Sequence, residues 1–592
     1  MQAVVDQQPA ANSGAPAKPL GTVIAVRGSQ ASIQLAGASS PSEGESRVTV
    51  GKFLGIDVGT SLLVSVVTDV SLQSELASSG QQHKTVAILD LIGEIENYNS
   101  DSAGFRRGVA DYPAIGDEVK RISSRDLHLI FNVSAPAVIE IGTLQQDSAI
   151  GAYIDVNDML SKHFSVLGTT GVGKSSAIAL ILQQTLAARP DLRVLILDVH
   201  NEYRPCFGDK AQVLSPRNMK LPFWLFNFEE IVDIFFGERP GLDEEIDLLS
   251  EVIPTAKANY SQASETSARL AIKSTASAKI RYTVDMPVPY RVADLISMLD
   301  SRMGKLENRS SRMLYQKLMT RIETVSSDPR YSFIFDKANV GGDTMAEILG
   351  LIFRQPANGV PVTIIQLAGF PSEVIDSLVS VLSRMAFDFG MWSEGMSPLL
   401  LVCEEAHRYI SADVRTGFGP TRRAISRIAK EGRKYGVFLG LISQRPAELD
   451  PTILSQCSTL FAMRMTNDRD QTLLRSAVSD TSSDLFSFLP SLGTGEVFAF
   501  GEGVALPTRL KIKQLPAELL PKSEPLSHEG VEEARCDQGS LAAIVDRWRG
   551  AMERQKSVVE KPTAEKTNQD PLASAGLRRL GSSLGGVRDG IA

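Results

Sequence analysis

The sequence predicts an α/β fold, in which a parallel sheet flanked by helices carries a helical insertion and follows a small N-terminal β-barrel. Three observations predict it. Continuous apolar runs such as Arg193-Val-Leu-Ile-Leu-Asp198 suit strands buried on both faces. A glycine-rich loop, Gly168–Ser176, separates a short apolar run from a segment that is apolar at helical spacing, Ser176–Ala188. Ahead of both, short strand-like stretches alternate with Gly, Ser, Asn and Asp.

Taken in order, residues 1–17 are poor in bulky apolar side chains and are expected to be a disordered tail without a secretory signal. Residues 18–130 are expected to form the barrel. Its strands are read at Gly21–Gly28, Gln30–Leu35, Leu62–Val70, Thr85–Glu96 and Glu118–Ile122, a spacing that suits a small antiparallel barrel. The sheet domain is expected over residues 139–515. Phe164–Leu167 leads into the glycine-rich loop, a helix follows, and Arg193–Asp198 is the next strand, which is the strand–helix–strand grammar of a parallel sheet. Val362–Leu367, Pro398–Cys403, Gly436–Ile442 and Thr459–Arg464 extend that sheet. From about residue 214 to 343 the pattern is helical with mixed charge and reads as an insertion. Residues 516–592 form a C-terminal extension in which Leu541, Ile544, Val545, Trp548 and Met552 share one face of an amphipathic helix.

Composition narrows the class. At 592 residues the chain is too long for one ordinary core. No apolar run approaches the roughly 18 residues needed to span a bilayer, so no membrane partner is expected. The four cysteines, Cys206, Cys403, Cys457 and Cys536, have no metal-ligand spacing and suit a reducing compartment, so a cytoplasmic location is expected. A net charge of −8 gives no global basic footprint, though it leaves room for a basic channel inside an oligomer.

Gly168-Thr-Thr-Gly-Val-Gly-Lys-Ser175 matches the phosphate-loop pattern G-x-x-x-x-G-K-[ST]. Glycines let the backbone aim several N–H groups into one concavity, and the following helix directs its positive end at the anion. ATP is therefore expected on Gly168, Thr170, Gly171, Val172, Gly173, Lys174, Ser175 and Ser176, with Lys174 at the β- and γ-phosphates and Ser175 on Mg²⁺. A chance glycine turn would lack the strand before it and the helix after it.

A phosphate-loop ATPase also needs a strand-end carboxylate for the metal and a group that orients water. Leu399-Leu-Leu-Val-Cys-Glu404-Glu405 supplies both: Glu404 is placed to assist Mg²⁺ through water, and Glu405 to polarise the nucleophilic water. Asp198, His200 and Glu202 alternate after another apolar run and are expected to converge as an accessory site beside the nucleotide, with a metal the weaker reading. Gln444 ends a further run and is read as a γ-phosphate sensor. In the basic stretch Thr421–Tyr435, Arg433 is the best-placed candidate for an arginine finger acting on a neighbouring subunit.

Together these residues resemble the HerA family of hexameric DNA-translocating ATPases, related to FtsK-type motors. The resemblance runs through Ile141-Gly-Thr-Leu, His163–Ser175, Asp198-Val-His-Asn-Glu-Tyr203, Glu404-Glu-Ala-His-Arg-Tyr409, Glu431-Gly-Arg-Lys-Tyr-Gly436, Ser443-Gln-Arg-Pro446, Leu489–Val497 and Leu506-Pro-Thr-Arg509. Gly108–Asp117 looks like part of the family's HAS-barrel. The resemblance implies a RecA-like P-loop ATPase domain, Mg²⁺ and ATP as cofactors, and a homo-hexamer with double-stranded DNA in its pore. It also implies a nuclease (NurA-like) or sirtuin-like effector docked on the barrel, in DNA end processing or phage defence. Glu404 stands where many P-loop enzymes have Asp, and the tail after Leu515 matches nothing in the family. The alternative is an ATPase scaffold that assembles and activates an effector without processive translocation.

Overall fold

The computed structural model describes residues 19–36, 48–77, 80–132, 135–237, 242–269, 282–306, 308–335, 343–370, 372–413, 419–477 and 483–522. The expectations for residues 1–17 and for the helix Leu541–Met552 lie outside them.

The N-terminal strands are β1 (Gly21–Arg27), β2 (Gln30–Leu35), β3 (Phe53–Val58), β4 (Ser61–Ala77), β5 (Gly80–Glu96), β6 (Gly104–Arg107) and β7 (Glu118–Arg121). They run in the order β2-β1-β7-β3-β4-β5-β6, and β2 also pairs with β5, so six of them close into an antiparallel barrel with β6 on the outside. Side chains alternate across each wall. Leu54, Ile56, Leu63, Val67, Ala87 and Leu89 fill the interior. Phe53, Leu62, Val64 and Val66 face outward and join the larger core instead. There Phe53 meets Phe131 with ring centroids 6.0 Å apart, and its amide donates to Gln146 Oε1 at 3.1 Å. One wall of the barrel is thus seated on the next domain.

That domain is built on one sheet of strands β8 (Val138–Leu144), β9 (Gly151–Asp155), β10 (His163–Leu167), β11 (Arg193–Asp198), β12 (Ala211–Leu214), β13 (Val362–Gln366), β14 (Leu399–Cys403), β15 (Val437–Ser443), β16 (Cys457–Ala462), β17 (Glu496–Gly501) and β18 (Thr508–Ile512). The order is β12-β13-β11-β14-β15-β10-β16-β17-β18-β8-β9. From β12 to β16 every pairing is parallel, and from β16 to β9 every pairing is antiparallel. β10 and β14 are buried along their whole length, as the apolar runs require. The architecture is an α/β sheet domain with a helical insertion behind an N-terminal barrel.

The insertion lies between β12 and β13, neighbours whose parallel pairing needs a crossover. Its helices include Phe228–Phe236, Asp243–Arg269, Val292–Met303 and Arg309–Ser326. Glu230 ties it down. This buried carboxylate completes a capping box with Asn227, accepts from Ser380 Oγ at 2.9 Å, and pairs with Arg384 on the helix Ser372–Trp392 at 3.0 Å. Among the described residues, no helix is long and apolar enough to cross a membrane.

Candidate active site

Because β10, β11, β14 and β15 are parallel, their C-terminal ends share one edge. Leu167 is in register with Ser443, Cys403 with Leu441, and Leu197 with Cys403. The loop Gly168–Ser176 leaves β10 at this edge and opens the helix Lys174–Ala188. Gly171 and Gly173 take φ of 75° and 100°, the left-handed region that a side chain disfavours. The loop is pinned on both sides: Gly168 N donates to Ser443 O at 3.3 Å and Thr169 N to Arg464 O at 3.0 Å. A third contact, Gly495 N donating to Val172 O at 3.0 Å, ties it to the turn before β17.

Lys174 is partly buried, and its Nζ donates to Thr169 O at 2.9 Å. Burial lowers its pKa, opposed by the negative charges of Glu405, Glu404 and Glu202. The ammonium thus lies in the field of three carboxylates while its hydrogen bond goes to the loop itself. A side chain added at Gly171 would meet nothing within 4 Å, so the loop borders open space at that residue. A triphosphate with a divalent cation fits this donor set: loop amides and Lys174 for the anion, the Ser175 hydroxyl and the nearby carboxylates for the cation.

Glu404 and Glu405 follow β14 and occupy different surroundings. Glu404 is 4% exposed, and its Oε2 accepts from Val199 N at 2.9 Å and His200 N at 3.4 Å. Burial, then the neighbouring Asp198, push its pKa up to about 9. Asp198 is itself buried, and its pKa is raised chiefly by desolvation. Glu405 has φ 48° and ψ 47°, a left-handed conformation that costs a non-glycine residue about 1–3 kcal/mol and is concentrated at functional positions. Its Oε1 lies 3.5 Å from His200 Nε2 and its Oε2 3.3 Å from His407 Nδ1. Gln444 follows β15, and its Oε1 accepts from Thr170 Oγ1.

The alternation that would bring Asp198, His200 and Glu202 together does not hold. β11 stops at Asp198, and Asn201 turns the chain with φ 56°. Asp198 accepts from the amides of Glu202 at 3.1 Å and Tyr203 at 3.0 Å, and so caps the turn. His200 faces Glu405 instead. Among the described residues, no three His, Cys, Asp or Glu side chains are grouped to hold a metal ion.

Arg433 lies elsewhere. It precedes β15, whose first residue Val437 is in register with Leu399, the first of β14. That is the opposite edge of the sheet from Lys174. Arg433 is exposed there, and its charge helps hold down the pKa of Glu502, although hydrogen bonds from Ser161 and Lys162 act more strongly on that carboxyl. Sequence reasoning passed over His407 and Ser443, which stand between Glu405 and Gln444: His407 Nδ1 is 3.1 Å from Ser443 Oγ. Burial lowers the His407 pKa. Both residues lie in the segments that carry the family resemblance, which was the available signal.

Residues 139–386 match the family described as the central domain of helicase HerA. A probable helicase of Methanocaldococcus jannaschii is 27% identical over 437 residues, which cover 72% of this chain and 75% of its own. The protein named DNA double-strand break repair helicase HerA in Pyrococcus furiosus is 26% identical over 516 residues, covering 82% of this chain and 85% of its own. Among solved structures, VirB4 of Thermoanaerobacter pseudethanolicus overlaps 65% of this chain and 98% of its own, with a TM-score of 0.44 and 14% identity.

Proposed function

We propose that the chain, whose residues 139–386 match the central domain of helicase HerA, is a HerA-type P-loop ATP hydrolase that translocates double-stranded DNA as a homo-hexameric ring. The observation that carries this reading is the convergence of Lys174, Glu405 and Gln444 on one strand edge while Arg433 lies on the other. A single chain then offers half of two sites, as a ring of motors with an arginine finger in trans requires. The Pyrococcus furiosus relative, named as a DNA double-strand break repair helicase, supports DNA as the track.

In this reading the loop amides and Lys174 bind the phosphates, and the helix Lys174–Ala188 adds its positive end. A magnesium ion, held by Ser175 and by Glu404, would neutralise phosphate charge. Glu405 orients and polarises the attacking water, Gln444 contacts the terminal phosphate, and Arg433 of the adjacent copy stabilises charge that develops on it. Asp198 keeps the turn after β11 in place beside Glu404. Translocation would follow as hydrolysis moves neighbouring copies along the DNA backbone, a contact that weakens with salt. A nuclease or sirtuin-like effector, in end processing or phage defence, completes the proposal. The exposed Tyr112 and Ile115 beside the barrel, at 57% and 76%, suit such docking.

Subunit mixing tests the shared site. Arg433→Ala and Lys174→Ala are each expected to be inactive alone, and their mixture to regain turnover, because one interface in the mixed ring carries both native residues. A mixture that assembles and stays inactive would count against an arginine supplied in trans.

A further inference from the structure

Glu405 sits between two imidazoles that differ in burial: the His200 side chain is 50% exposed and the His407 side chain 11%. His407 Nδ1 has two oxygens within reach, Ser443 Oγ at 3.1 Å and Glu405 Oε2 at 3.3 Å. Ser443 Oγ also accepts from Arg445 N at 3.0 Å, which leaves the hydroxyl one further lone pair. A ring nitrogen carries at most one proton, so in the tautomer with the proton on Nδ1 that N–H serves either Ser443 or Glu405. Glu405 Oε2 is buried and has no hydrogen-bond partner. A buried carboxylate oxygen left in that condition is costly, and a donor able to relieve it, His407 Nδ1, lies 3.3 Å away. Ser443 in turn is joined to the phosphate side of the site. Its carbonyl accepts from Gly168 N at 3.3 Å, and the next residue, Gln444, accepts from Thr170 of the phosphate loop.

We propose that His407 is a positioning residue whose Nδ1–H passes from Ser443 to Glu405 when the Ser443–Gln444 segment engages the terminal phosphate, coupling phosphate sensing to the orientation of Glu405. The inference rests on the reading of Glu405 as the group that orients water. No atom is transferred: the ring keeps its proton, and one acceptor replaces another. With Oε2 held by the ring, Oε1, on the side of the half-exposed His200, is the oxygen that faces the water. The left-handed backbone of Glu405 gives the carboxylate a defined direction for this exchange.

The test compares His407→Ala, His407→Asn and Glu405→Gln in the full chain, by steady-state ATPase, fluorescent-nucleotide binding and thermal unfolding. Asn can place an amide N–H where Nδ1 stands. His407→Ala is expected to lower kcat by about tenfold or more, the scale of one lost hydrogen bond to a charged group, with KM and nucleotide affinity little changed. His407→Asn is expected to recover most of kcat. The double variant Glu405→Gln with His407→Ala is expected to be no slower than Glu405→Gln alone, because both act through one carboxylate. Wild-type kcat in His407→Ala overturns the proposal, as does an Asn variant that folds and binds nucleotide yet is as slow as Ala. Full turnover in Glu405→Gln would instead overturn the reading of Glu405 on which the proposal rests.

Discussion

Glu404 and Glu405 are consecutive at the end of β14, yet Glu404 is turned onto the amides of Val199 and His200 while Glu405 adopts positive φ and lies against His200 and His407. The difference gives two adjacent carboxyls different chemistry. Glu404 is buried beside Asp198, and its contacts to the amides of Val199 and His200 tie the end of β14 to the turn after β11. Glu405 has an oxygen without a hydrogen bond and is directed toward the phosphate loop, where it acts electrostatically on Lys174.

Glu405→Gln is expected to retain ATP binding and to lose turnover by about 10²–10⁴-fold, the range for a positioned general base. Single-turnover hydrolysis beside equilibrium nucleotide binding checks this. Equal loss in both would assign Glu405 to binding.

Lys174→Ala is expected to weaken ATP binding by about tenfold to a hundredfold, the scale of hydrogen bonds to charged groups. Because Nζ donates to a carbonyl of its own loop at 2.9 Å, thermal stability in buffer is expected to change little. Titration with a fluorescent ATP analogue, paired with thermal unfolding, separates the two effects.

The strands around this site are legible in sequence because burial on both faces leaves long apolar runs, as in Leu399-Leu-Leu-Val-Cys403. The phosphate loop is legible because its chemistry demands glycines at set spacing. Edge strands are less so: β12 is four residues long, with the polar Gln212 inside it, and β6 is Gly-Phe-Arg-Arg. The alternation read into Asp198, His200 and Glu202 fails because a capped turn replaces the extended chain it assumes. The link from His407 to Ser443 joins residues 36 apart in sequence, and only the register of β14 with β15 brings them together. The same register decides that Arg433 faces away from its own Lys174.

Glu230→Gln is expected to destabilise the chain by about 3–5 kcal/mol, since Arg384 and the Asn227 amide would lose a buried anionic acceptor. A shift in the urea midpoint measures this. Arg384→Met paired with Glu230→Gln is expected to recover part of the loss, because no unpaired charge then remains buried.

His163 makes stability fall with acid. Leu439 N donates to its Nδ1 at 3.0 Å, so the ring proton sits on Nε2 and goes to Ala429 O, also at 3.0 Å. Burial lowers its pKa from 6.5 to about 4. Between those values the unfolded chain binds a proton that the folded chain does not, so stability declines as pH falls from 6.5 toward 4 and this contribution levels off below that. The total is roughly 3 kcal/mol at 1.4 kcal/mol per pH unit. Unfolding of wild type and His163→Asn across this window checks it: the variant is expected to lose that part of the slope.

A ring motor of this kind runs on duplex DNA. The measurement that tests it most directly is steady-state ATPase with and without linear duplex DNA, for wild type and Glu405→Gln, alongside the mass of the oligomer. A hexamer whose turnover rises strongly with DNA, and falls away in the variant, is the expected result. Slow turnover indifferent to DNA would contradict the motor and favour a ring that serves as an ATPase scaffold for an effector.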